Sequence, residues 1–135
     1  MGQRTKGRRF LLQSRYAAET REDSTIDNME LLNFSSRITD SETRVWLKDL
    51  SKIIDDNRED IDKKIEVSLV NWSMSRLTPI TKLILEQAIA EAIYFGIPVP
   101  VVIKEGVKLA IEFEGPKTGS FVNGVLDRIL KDSNL

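Results

Sequence analysis

Phe121-Val122-Asn123-Gly124-Val125-Leu126-Asp127, FVNGVLD, admits two readings. Asn-Gly between apolar residues is a strong hairpin signal, because both residues tolerate the positive φ of a two-residue turn. A hairpin also needs apolar–polar alternation on both arms, and here Phe121-Val122 and Val125-Leu126 are adjacent apolar pairs. Continued to Leu130, the run sets Phe121, Val125 and Ile129 at i, i+4, i+8, with Val122, Leu126 and Leu130 one step on. That is a helical stripe. The segment predicts a helix from about Ser120 to Lys131 with two poor helix formers inside it. Glycine there costs roughly 1 kcal/mol relative to alanine. Close approach of a neighbouring helix at Gly124 is the structural reason to expect; an Asn123 amide that caps a break or meets a ligand is the functional one.

The rest of the chain also reads as helix. Gly115-Pro116 stops a preceding helix that Pro100 opens and whose Ile103, Val107, Ala110 and Ile111 point to the core. Before it, Thr78-Pro79 is a start signal, with Thr as N-cap and Pro at the first helical position. The run ITKLILEQAIAEAIYF that follows is apolar on most faces, which marks a central helix, and Gly96 sits where its C-terminal cap belongs. Ile61, Ile65, Leu69 and Trp72 make one amphipathic stripe; Trp46, Leu50, Ile53 and Ile54 make another. The second follows Thr39-Asp40-Ser41-Glu42, which fits a capping box with Thr39 as the cap. Ile26, Met29, Asn33 and Arg37 give a weak helix. A first helix covers roughly residues 4–20, with Arg4, Arg8 and Arg15 sharing a basic face at i, i+4, i+11 and Gly7 weakening its first turn. Only Val99–Ile103 looks strand-like, and its proline argues against a central strand. The expected fold is all-α, with about seven helices.

With 135 residues, 41% apolar and 30% charged, the chain is the size of one domain with a real core. There is no cysteine and no histidine, so disulfides, thiolate metal sites and Ser-His or Cys-His nucleophile pairs are excluded. No run approaches the ~18 apolar residues of a membrane span, and no secretory signal is visible. The net charge of −1 hides an asymmetry. Residues 1–21 hold six basic residues against Glu19 alone, a net +5, and the remainder carries −6. A basic segment on an acidic body points to a localised anionic partner and to binding over catalysis.

Three stretches together resemble the NusB family of bacterial transcription antitermination factors. They are FVNGVLD at 121–127, the proline-started IPVPVVIKEGVKLAIEF at 97–113, and Trp72 with Arg76-Leu77 followed by ILEQAIAEAIYF at 84–95. The arginine-rich first helix with Gln13 and Tyr16 extends the likeness to the N-terminus. The resemblance implies a compact fold of two small helical subdomains, about 1–75 and 76–135. It also implies no catalysis, no cofactor, and a cytoplasmic location. It further implies binding of boxA-type single-stranded RNA together with NusE, a small-subunit ribosomal protein, in the RNA polymerase complex that transcribes ribosomal RNA operons.

Carried over by position, the resemblance assigns RNA contacts to Arg4, Lys6, Arg8, Arg9, Gln13 and Tyr16, and to Ser120, Phe121 and Asn123. It places Thr81 at a position of the NusE surface, with Lys82, Glu86 and Glu91 as further candidates on the same helix. The chemistry agrees: arginine pairs with phosphates and stacks, aromatic rings stack on unpaired bases, and amides read base edges. This chain departs from the family at several of these places: Thr5 replaces an arginine, Arg15 an apolar residue, Thr81 an acidic one, Ala90 a tyrosine, and Lys104-Glu105-Gly106 replaces Asn-Glu-Ala. Two alternatives stand beside this reading. One is the NusB-like RNA-recognition domain of a ribosomal RNA cytosine methyltransferase, the other a helical homodimer scaffold.

Overall fold

A computed structural model describes residues 2–69 and 73–131; Trp72 lies outside them. The described residues form eight α-helices and one 3-10 turn, with no strand. The helices are α1 Gln3–Arg21, α2 Thr25–Leu31, α3 Phe34–Arg37, α4 Ser41–Asp56, α5 Arg58–Ser68, α6 Pro79–Phe95, α7 Val99–Glu114 and α8 Pro116–Lys131. The count exceeds the expected seven because the weak second segment breaks in two: Asn33 takes a left-handed φ of 62° between α2 and α3. None of the helices is long and apolar enough to cross a membrane.

Two compact units emerge, Met1–Ile53 and Ile54–Leu135, and α4 runs from the first into the second. In the first, Phe10, Leu11 and Leu12 of α1 are buried, as are Met29, Phe34, Leu47 and Leu50. The Phe10 and Phe34 rings stack at 5.5 Å between centroids. α1 lies close to α4 because Gly7 has no side chain: a Cβ there would stand 3.0 Å from Thr43 Cγ2 and 3.1 Å from Leu47 Cδ1. The glycine that weakens the helix by propensity thus serves its packing. The cap of α4 is Asp40, not Thr39: its Oδ2 accepts the Thr43 N–H at 2.9 Å and the Thr43 hydroxyl at 2.6 Å.

In the second unit α6 is central, as its apolar run predicts: every residue from Leu83 to Ala92 is buried. Thr78 caps it, Pro79 opens it, and Gly96 closes it at φ 63°. α7 and α8 pack on α6 and on each other, and α5 packs on α6 and α8. The buried face of α7 is Val102, Ile103, Gly106, Leu109 and Ala110. The expected face is rotated: Ile111 is exposed and Val107 half-buried. α8 starts at Pro116, a turn before the expected Ser120, because the proline that stops α7 is itself a good first helical residue.

FVNGVLD is helical, and the reason expected for its glycine is wrong. Gly124 is exposed, and a Cβ there would meet nothing within 4 Å. The close approach is at Gly119, where a Cβ would stand 2.6 Å from Ile111 Cγ1 on α7.

Candidate nucleic-acid interface

Helical geometry sorts the candidate residues of α1 into two groups. Lys6, Arg9, Gln13 and Tyr16 fall at i, i+3, i+7, i+10. Lys6 and Tyr16 are exposed, and Arg9 and Gln13 half-buried, so these four form the outward stripe. The face that spacing assigns to Arg4, Arg8 and Arg15 does not point to solvent. Arg8 is 4% exposed and Arg15 2%. Both have interaction partners, as charges removed from water require. Only Arg4 of the three is exposed.

Trp46 on α4 explains part of this arrangement. The Arg4 guanidinium lies 4.2 Å from the Trp46 ring centroid and that of Arg8 5.2 Å, within cation–π range. One aromatic ring therefore holds two successive arginines of α1. Around Arg4 and Lys6 the first turn of α1 carries no acidic residue, and its backbone N–H groups have no side-chain cap. Cations at an uncapped helix start favour an anion there.

Arg37 adds a residue that spacing alone does not reveal. Its Nη2 donates to Gln13 Oε1 at 3.5 Å, and its guanidinium lies 5.1 Å from the Phe10 ring centroid. It belongs to α3, whose pattern in the sequence is faint; the signal that finds it is the tertiary contact with Gln13.

On α8 the three candidates do not share one surface. Ser120 and Asn123, three residues apart, are both exposed and line a groove of about 600 Å³ between α7 and α8. Phe121 is half-buried and lines a different cleft, of about 430 Å³, with Arg76, Thr78, Thr81 and Lys117. Thr78 and Thr81 form part of the wall of that cleft. Both hydroxyls donate to Glu114 Oε1 at 2.8 Å, while Thr78 Oγ1 accepts the Thr81 N–H at 3.1 Å. The end of α7 is thereby tied to the start of α6.

Of the four partner candidates on α6, Thr81, Glu86 and Glu91 are 3%, 0% and 2% exposed. The Glu86 and Glu91 side chains lie in the interior, with Glu86 Oε2 4.0 Å from Arg58 Nε, and Thr81 reaches only the wall of the cleft beside Phe121. Lys82 is the accessible one, half-buried and 3.6 Å from Asp62. Among the described residues no group of acidic side chains is arranged to hold a metal ion.

The model of the NusB family matches residues 5–131. The transcription antitermination protein NusB of Methylacidiphilum infernorum is 36% identical over 131 residues, which cover 96% of this chain and 92% of that one. Among solved structures, T. maritima NusB is similar at a TM-score of 0.88 and 26% identity, covering 98% of this chain and 93% of that one. A structure of the antitermination factors NusB and NusE in complex with dsRNA is similar at 0.87 and 26%, covering 98% and 99%.

Proposed function

The chain belongs to the NusB family of transcription antitermination factors, which bind RNA and carry no catalytic activity; on that premise we propose that it binds boxA-type single-stranded RNA together with NusE. Each of the two units carries candidate contacts of its own. On α1, Arg4, Lys6 and Arg9 meet phosphates, Gln13 a base edge, and Tyr16 a base face. On α8, Ser120 and Asn123 offer hydrogen bonds and Phe121 an aromatic edge. Arg8 acts from beneath, holding its place against Trp46 so that the first turn of α1 keeps its orientation.

The observation that carries this reading is the α1 stripe. A cation, a second cation, an amide and a ring that is 43% exposed follow one another along one outward face. Single strands are bound by that combination, since each unpaired base presents a face to stack and an edge to read. One of the similar family structures is of NusB and NusE in complex with dsRNA. A duplex hides its base faces, so an exposed Tyr16 favours the single strand. Antitermination by this chain would then take place in the cytoplasm, within the RNA polymerase complex on ribosomal RNA operons. NusE docks with Lys82 at the accessible edge of α6.

Titration of the protein with boxA RNA, a scrambled strand and an RNA duplex, each with and without NusE, tests the reading. The expected result is preference for boxA, affinity that rises with NusE, and a fall with salt. Equal binding of all three RNAs, or none with NusE at low salt, would overturn it. Light scattering on the same mixtures separates this reading from a homodimer that uses the same surface. A dimer that dissociates as RNA is added marks the two as competitors.

A further inference from the structure

The groove lined by Ser120 and Asn123 has a second wall. α7 supplies Lys104 and Lys108, one helical turn apart and both exposed. Residues at that spacing have Cβ atoms about 5–6 Å apart on the same face. Among the described residues neither lysine is held in an ion pair, whereas Lys131 on the α8 side is already tied to Asp127 at 2.8 Å. Two uncommitted cations therefore face an exposed hydroxyl and an exposed amide across one groove. Nucleic-acid interfaces divide labour in this way, with cations holding phosphates and side-chain amides reading bases.

We infer that the α7–α8 groove is a phosphate track, in which RNA bound at Ser120 and Asn123 continues along α7 and gives one phosphate to Lys104 and one to Lys108. The inference rests on the RNA-binding reading above and extends its footprint beyond the start of α8. Because the two lysines meet phosphates, they add affinity without sequence preference; discrimination stays with Asn123.

The test compares wild type, Lys104→Gln/Lys108→Gln and the control Lys63→Gln/Lys64→Gln. The control removes the same charge from exposed positions of α5, beside a separate cleft. Affinity for boxA and scrambled strands is measured with NusE across a salt series, and circular dichroism checks that helix content is unchanged. The expected result is equal weakening for both strands in the α7 variant. The slope of log affinity against log salt should become shallower by about 1.4, from 0.7 per phosphate on a single strand. The control should keep the wild-type slope. An unchanged slope in the α7 variant overturns the inference while wild-type binding stands. An equal change in the control overturns it too, since the effect would then be one of net charge. Failure of wild type to bind RNA with NusE removes the reading on which the inference rests.

Discussion

α1 and α8 are built alike and present their candidate residues differently. Each has a glycine where a neighbouring helix comes close, Gly7 against α4 and Gly119 against α7. Each carries a cluster of candidate binding residues. On α1 the cluster spans eleven residues, from Lys6 to Tyr16, and forms one outward stripe. On α8 it spans only four, from Ser120 to Asn123, and divides between two depressions. A helix turns roughly 100° per residue, so Phe121 and Asn123, two apart, look in nearly opposite directions. A motif compact in the sequence is not thereby a compact site.

The largest effects test the glycine and the ring that define the two helices. Gly119→Ala should destabilise the protein by about 1–3 kcal/mol, the range for overpacking a fitted contact, because Ile111 must move from 2.6 Å. Urea unfolding measures this, and an unchanged midpoint would mean that α7 and α8 do not depend on that contact. Tyr16→Ala should leave the unfolding midpoint near wild type, since the ring is largely outside the core. It should weaken single-stranded RNA binding by about 1–3 kcal/mol, the value of one stacked base. Phe121→Ala, by contrast, should lower both, and equal behaviour of the two rings would erase the distinction between the helices.

Gly124→Ala is the counterpart of Gly119→Ala with the opposite sign. With open space around its Cβ, it should stabilise the protein by up to about 1 kcal/mol. A loss of RNA affinity in that stabilised variant would show that the backbone at Gly124 is approached by RNA.

The smallest effect concerns the helix caps. Hydrogen bonds from Thr43, first from its hydroxyl and then from its N–H, hold the Asp40 carboxyl below the ordinary carboxylate range. The nearby charges of Arg44 and Arg4 act in the same direction. The folded-state value lies below the unfolded one. The contribution is therefore complete above the ordinary carboxylate value and is lost as pH falls through the folded value. Asp40→Asn should remove that part of the acid sensitivity while retaining a capping side chain, read as a flatter dependence of the unfolding midpoint on pH below about 4.

Much of the fold is legible without coordinates where local signals agree. Thr78-Pro79 starts α6 and Gly96 ends it, and its apolar circumference marks it as central. The helical state of Asn123-Gly124 follows from ten residues of spacing. Where local signals are weak or equivocal, the reading slips by a residue or a turn. Asp40 caps α4 in place of Thr39, α8 starts at Pro116, and the buried face of α7 turns away from Ile111. Capping preferences of Thr and Asp are too similar to separate neighbours, and an apolar residue on a helix does not say whether the neighbour reaches it.

Periodicity, composition and cap chemistry determine which segments are helices and that Cys- or His-based catalysis is excluded, because these depend on the chain within a few residues. The direction in which each helical face points is decided only by tertiary packing. Spacing unites Arg4, Arg8 and Arg15, but Trp46, distant in sequence, holds the first two, and burial removes the last two from solvent. The same holds for the glycines: identical in propensity, Gly119 and Gly124 differ because Ile111 stands over one and nothing stands over the other.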